Sequence, residues 1–305
     1  MTKNSEETMG IVKRITAACF AIGVAAVAPD LCAQTLKKIA QTNTITVSYR
    51  ESAVPFSYLL TPHKPAGFSV DLTEAIIDAV RKQLGRPELH VAYLPVTGQN
   101  RIPLLVNGTY DLGCGSTTNN AARGKEVAFS ISFFFAGTRV LVKRGSGIAN
   151  YGDLAHKRVA TVAGSTNQKV IEQYGQEHGL GIETVAGKDY GDALQLLLAD
   201  RAEALALDDI LLYGLKANAS DPASLEVVGD TLQVEPYGCM VRKDDPAFKQ
   251  LVDTTIARMM KSGEFTRLYE KWFEQPIPPK GITLGMPMSE RLRANLSALS
   301  DKPER

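Results

Sequence analysis

The feature that most constrains this chain is an alternation of strand and helix patterns that runs twice. Residues 44–49 alternate as a strand, and after them Leu72, Ala75, Ile76, Ala79 and Val80 recur at helical spacing. Asp71 stands at a helix-capping position with Glu74 three residues on. Residues 90–94 then read as a strand, residues 102–106 as a short helix closed by Asn107 and Gly108, and residues 110–115 as a third strand. Strands separated by single helices call for a parallel sheet with crossover helices. The cycle restarts with a strand at 158–163, a helix capped by Gly164, Ser165 and Thr166, a strand at 182–185, a helix at 190–199, and a strand at 202–207 that ends in Asp208 and Asp209. Two such units in tandem, without sequence repeats, predict two α/β lobes. The run GTRVLVK, residues 137–143, lies between them and reads either as a core strand or as a crossing strand. Late strands are expected at 225–228 and 233–242, followed by helices at 246–261 and 264–273 whose Phe, Met and Trp stripes have core spacing.

The 305 residues, 44% of them hydrophobic, suffice for two medium cores. Lys and Arg number 34 against 33 Asp and Glu, so no global field draws in nucleic acid or an anionic membrane. Ahead of the fold, Lys13 and Arg14 precede an apolar run at 15–28 and small residues up to Ala33. That pattern predicts a secretory signal over residues 1–33, cleaved after Ala33, and hence export. Cys19 and Cys32 leave with it, and Cys114 and Cys239 remain. In an oxidising compartment such a pair is either a disulfide or two buried thiols. No Cys-x-x-Cys occurs and His63, His90, His156 and His178 are scattered, so neither a metal nor a cofactor is expected.

The stretch GCGSTTNNAARGKEVAFS, residues 113–130, ends a strand in small hydroxyl and amide residues before a short helix carrying Arg123. Hydroxyls and free amides at such a junction, with a guanidinium nearby, can seat a carboxylate. They can equally be an ordinary helix cap. Arg50 ends the first strand, where open α/β sheets place ligands, although a single arginine there is usually solvated. Polar residues 97–100 and Arg101 open the next helix.

YRESAVPFSY, GFSVDL, QNRIPLLVNGTYDLGCGSTTNNAAR, the pair Asp208 and Asp209, YGCMVRKDDPAF and KWFEQPIPP together resemble the periplasmic glutamate/aspartate-binding proteins of ABC amino-acid importers, solute-binding family 3. The resemblance runs from about residue 36 to 279, and QNRIPLL joined to GSTTNN is its most specific part. It implies the type II periplasmic-binding-protein fold, an α/β architecture of two lobes, each a sheet flanked by helices, joined by two hinge strands. Lobe one is implied at 35–138 plus 237–275 and lobe two at 139–236. A surface tail would occupy 276–305, its last dozen residues disordered. The returning strand would bring Cys239 beside Cys114, which implies a disulfide.

The likeness also implies a ligand set. Arg123, Ser116, Thr118 and backbone amides would hold the α-carboxylate, with Thr166 donating from the other lobe. Asp208 would meet the ammonium, and Arg50 and Arg101 the side-chain carboxylate. Three arginines and one aspartate make a site of net charge plus two, suited to L-glutamate first and L-aspartate second. Gly98 and Tyr190 depart from the family, which usually carries Ser and often His there. Gly98 is expected to leave room that the Tyr190 hydroxyl can fill. The partner implied is an inner-membrane permease, and the protein a periplasmic monomer that binds no nucleic acid. Two rival classes are a dehydratase-like enzyme, for which the implied pocket offers Asp208 alone as an acid or base, and a sensor module, which would continue into a membrane segment.

Overall fold

The computed structural model describes residues 34–303, and the expected signal at 1–33 lies outside them. The chain runs through α1 (Gln34–Thr42), β1 (Thr44–Tyr49), β2 (Ser52–Ala53), β3 (Ser57–Thr61), β4 (Lys64–Ala66), α2 (Phe68–Leu84), β5 (His90–Pro95), α3 (Arg101–Val106), β6 (Leu112–Gly113) and β7 (Val127–Phe129). There follow β8 (Phe134–Lys143), β9 (Arg158–Val162), α4 (Thr166–Glu177), β10 (Glu183–Gly187), α5 (Tyr190–Leu198), β11 (Ala204–Asp208), α6 (Asp209–Asn218) and β12 (Leu225–Val228). The return is made by β13 (Val234–Tyr237), β14 (Met240–Arg242), α7 (Pro246–Ser262), α8 (Glu264–Phe273) and α9 (Glu290–Ala298).

The first sheet has the order β5-β1-β6-β14-β7, and the second runs β10-β9-β11-β8-β12 with β13 paired to β8. β1 pairs parallel with β5 and β6, and β9 pairs parallel with β10 and β11. Both strand-helix cycles therefore give parallel ladders, with their loops gathered at the carboxyl ends of the strands. α2 lays Phe68, Leu72, Ile76 and Val80 into the same core as Ile45 and Val47 of β1, all without solvent exposure. Each such side chain contributes roughly 1.5–3 kcal/mol by leaving water. Fully buried Asp111 ties three segments together, accepting from the Thr46 amide at 3.0 Å and pairing with Lys38 at 2.8 Å and Arg242 at 3.2 Å.

The run at 137–143 is the end of a longer strand that belongs to both halves. Phe134 to Gly137 of β8 pair with β13, while residues from Thr138 onward pair antiparallel with β11 and β12. The expected strand at 233–242 is two strands rather than one, because the backbone leaves β8 after Tyr237 and joins the first sheet at Met240. In the break, the Gly238 amide donates to Thr117 O at 3.1 Å and the Cys239 amide to Ser130 Oγ at 2.9 Å. Cys239 is joined there to Cys114 by a disulfide, across a sequence separation of 125. Phe56 sits edge-on to Phe134 and Tyr237 at 5.0 and 5.2 Å, so aromatic packing braces the paired β8 and β13.

The C-terminal segment differs from the expected disordered tail. It folds back as α9, packing on α7 and β8, with Leu292 and Asn295 buried. Asn295 Nδ2 donates to Ser132 O at 2.7 Å, and Asn119 Nδ2 donates to Asp301 O at 2.6 Å. A polar surface-like sequence is held here by a backbone carbonyl and a side-chain amide far away in the chain, partners that local composition does not reveal.

Candidate functional site

Parallel topology brings the chemistry to one place. Arg50 follows the last residue of β1, Arg101 begins α3, and the loop after β6 supplies Ser116, Thr118 and Arg123. From the second sheet come Thr166 at the start of α4, Tyr190 at the start of α5, and Asp208 at the end of β11. Ser165 caps α4 by accepting from the Gln168 amide at 3.2 Å, and Asp189 caps α5 by accepting from Asp192 at 3.0 Å. Those caps leave Thr166 and Tyr190 free to face the first sheet.

The residues after β6 are not a helix cap. Thr118 forms an isolated bridge with Tyr237, and the Asn119 amide donates to Pro236 O at 2.7 Å, so the loop is sewn to β13. Arg123 lies in a single 3-10 turn, Arg123–Lys125, instead of the expected helix, with its amide held by Asn120 Oδ1 at 2.9 Å.

Seven of the eight predicted site residues are 9% exposed or less, Thr166 is partly exposed, and contacts cross between the two sheets. Ser116 Oγ and the Tyr190 hydroxyl are 2.9 Å apart, and the Thr118 and Thr166 hydroxyl oxygens 3.3 Å. Arg123 Nη1 donates to Thr118 O at 3.0 Å on its own side and Nη2 to Gly164 O at 3.2 Å on the other. The Arg50 guanidinium stacks over the Tyr190 ring at 4.7 Å. A groove of about 410 Å³ lined by Ile102, Asn120, Arg123, Gly164, Thr166 and Lys169 runs along this seam.

The cleft concentrates buried positive charge. Arg50 Nη1 and Nη2 and Arg101 Nε are buried without a hydrogen-bond partner among the described residues. Burial, and then the like charges of Arg123 and Arg50, pull the Arg101 guanidinium down to about 9. Burial also lowers Arg123, against the pull of Glu235. Asp208 accepts from Asn167 Nδ2 at 2.8 Å and from the Tyr237 hydroxyl, and its carboxyl is pushed well above the usual carboxylate range by burial and then by Glu235. Among the described residues, no cluster of three or more His, Cys, Asp or Glu could hold a metal ion.

Three features depart from the sequence reading. Glu235, fully buried on β13, was not anticipated, and it accepts through Oε2 from both the Thr118 and the Thr166 hydroxyls. With it, three arginines face two carboxylates, so the cluster carries plus one rather than plus two. Gly98 does not leave spare room: a Cβ there would stand 2.4 Å from Ala163 O, because the Gly98 and Gly164 backbones touch across the seam. Gly164 has φ +77° and is itself confined to glycine by that approach. The Tyr190 hydroxyl accordingly fills no gap beside Gly98 and is engaged with Ser116. A signal for Glu235 does exist, a glutamate inside an otherwise apolar stretch ahead of Pro236 and Tyr237.

Residues 45–275 match the family described as bacterial extracellular solute-binding proteins, family 3. The chain is 46% identical over 288 residues to the L-glutamate/L-aspartate-binding protein of Pseudomonas aeruginosa, covering 94% of this chain and 95% of that one. It is 44% identical over 268 residues to the glutamate/aspartate import solute-binding protein of Escherichia coli, covering 88% and 89%. Among solved structures, a mutant of ArgBP from T. maritima superposes with a TM-score of 0.70 at 28% identity, over 79% of this chain and 99% of that one.

Proposed function

The chain belongs to the bacterial extracellular solute-binding proteins of family 3, and on that premise we propose that it captures an acidic amino acid in the periplasm and delivers it to the permease of an ABC importer. The observation that carries this reading is the convergence of Arg50, Arg101 and Arg123 in one buried cleft with guanidinium N–H groups still unpaired among the described residues. Buried guanidinium groups at this density repel one another, and an incoming carboxylate relieves that repulsion. A neutral amino acid leaves one of them unmatched, at roughly 3–5 kcal/mol for a broken buried pair. The ligand is therefore an acidic amino acid, L-glutamate or L-aspartate. The role is that of a carrier rather than a catalyst.

In this reading Arg123, Ser116 and the backbone amides of the 113–120 loop take the α-carboxylate, Arg50 and Arg101 the side-chain carboxylate, and Asp208 the ammonium. Tyr190 orients Arg50 by lying flat beneath it at 4.7 Å. Thr118 and Thr166, which the likeness would make carboxylate donors, have their hydroxyls turned to Glu235 instead. Residues 35–138 plus 237–275 form lobe one, 139–236 lobe two and 276–305 the C-terminal tail, whose α9 packs on α7 while Lys280 donates to the Asn218 and Ala219 carbonyls of lobe two. β8 and β13 are the hinge, because their mutual pairing is the place where both chain crossings lie side by side. Burial of the site residues requires the lobes to part for ligand entry. The mature protein acts as a monomer after loss of residues 1–33, and it needs no cofactor.

Titration calorimetry across L-glutamate, L-aspartate, L-glutamine and L-cysteate tests the assignment. Acidic ligands should bind at least tenfold more tightly than glutamine. Tighter binding of glutamine than of glutamate would sink it.

A further inference from the structure

Glu235 is left without a task by the ligand set above. It projects from β13, one of the two strands that join the sheets, and is fully buried. Its Oε2 accepts from Thr118 on the first-sheet side and from Thr166 on the second-sheet side. Its Oε1 is buried with no hydrogen-bond partner among the described residues. A carboxylate oxygen held out of water in that state is strongly unfavourable unless a donor arrives.

The two threonines narrow what that donor can be. A hydroxyl has one hydrogen and two lone pairs. With both hydrogens directed at Oε2, Thr118 and Thr166 offer only lone pairs to anything else in the cleft, 3.3 Å from each other. Asp208 stands beside Glu235, since its carboxyl accepts from the hydroxyl of Tyr237, two residues along β13 and so on the same face of the strand as Glu235. The neighbouring cation, Arg123, directs Nη1 and Nη2 to the Thr118 and Gly164 carbonyls. The corner thus gathers acceptors, namely Glu235 Oε1, two hydroxyl oxygens and the Asp208 carboxylate. Its complement is a compact cation with three diverging hydrogens, which describes a primary ammonium.

We infer that Glu235, with the hydroxyl oxygens of Thr118 and Thr166, shares the seat of the ligand ammonium with Asp208, and so selects amino dicarboxylates over dicarboxylates that lack the amine. The inference rests on reading the cleft as an acidic-amino-acid site and adds the residue that reads the amine. It also explains why net charge plus one is sufficient: three guanidinium groups and two carboxylates are neutralised by a ligand bearing two carboxylates and one ammonium. Because Thr118 and Thr166 come from opposite sheets, a cation at this corner would hold the two sides together at the hinge.

The test is calorimetry on the mature protein with L-glutamate and with glutarate, the same carbon skeleton without the amine. Wild type should prefer glutamate. Glu235→Gln should weaken glutamate by on the order of tenfold or more, the loss of a charge-assisted hydrogen bond, while glutarate binding holds or tightens. An equal fall for both ligands, or no change for glutamate, would overturn the inference. Should Glu235→Gln fail to fold, Asp208→Asn serves: it should keep a measurable preference for glutamate over glutarate, and equal affinities would count against Glu235. Wild type that binds no acidic amino acid overturns the functional reading as well, whereas wild type that binds with indifferent variants overturns only this inference.

Discussion

Arg101→Ala should separate recognition of the acidic side chain from recognition of the amino-acid backbone, on the ligand assignment proposed above. Arg101 is 4% exposed, its Nε has no hydrogen-bond partner among the described residues, and two like charges weaken its hold on its proton. It is therefore an uncompensated buried cation until a ligand carboxylate arrives. Removing one member of a buried pair costs roughly 3–5 kcal/mol, and at about 1.4 kcal/mol per decade that is a hundredfold to a few thousandfold in affinity. Arg50 remains to receive the same carboxylate, so the loss for L-glutamate should lie toward the lower end. L-Glutamine makes no ion pair at this position and should lose far less. Calorimetry of both ligands on both proteins measures the ratio, which should fall by roughly a hundredfold. Relief of repulsion with Arg50 and Arg123 should also leave the ligand-free variant no less stable than the size of the lost side chain dictates. If Arg101→Ala bound glutamate undiminished, the assignment of Arg50 and Arg101 to the side-chain carboxylate would be wrong.

Arg123→Ala should abolish binding of acidic and neutral amino acids alike, read by thermal shift, since both share the α-carboxylate. Gly98→Ser should weaken glutamate by at least roughly tenfold, because its Cβ would meet Ala163 O at 2.4 Å and the two sides must move apart to admit it; unchanged affinity would mean the seam yields easily. Reducing the Cys114–Cys239 disulfide, which spans 125 residues, should lower unfolding free energy by about 4–5 kcal/mol on the chain-entropy account, measured by denaturant melts with and without reductant. Glutamate at a hundred times its dissociation constant should stabilise the fold by about 2.7 kcal/mol.

Much of the candidate site is legible in the sequence because it is built from strand ends and helix starts. Arg50 ends β1, Asp208 ends β11, and Thr166 and Tyr190 open α4 and α5. Those positions follow from local periodicity and caps. Glu235 is not legible in this way, for the opposite reason. It lies in the middle of a strand run, and its partner Thr118 is 117 residues away. At Gly98 a missing side chain reads as added space, yet the Ala163 carbonyl of the other half occupies it. The C-terminal helix was missed because Asn295 and Asp301 are anchored by Ser132 and Asn119, more than 160 residues earlier.

The amino-acid sequence by itself determined the two parallel α/β units, the strand ends at which polar side chains gather, and the three arginines proposed to meet the ligand. These are consequences of period, capping and charge, which act over a few residues. Tertiary structure alone decided which hydroxyl gives its hydrogen to which carboxylate, how closely the Gly98 and Gly164 backbones meet, and that β13 carries a glutamate into the same corner as Asp208. Those outcomes depend on register and approach between segments more than a hundred residues apart or on opposite sides of the cleft. A shift of one residue in the pairing of β8 with β13 would turn Glu235 to the other face of the strand and leave Thr118 and Thr166 free to be the carboxylate donors that the sequence alone suggests.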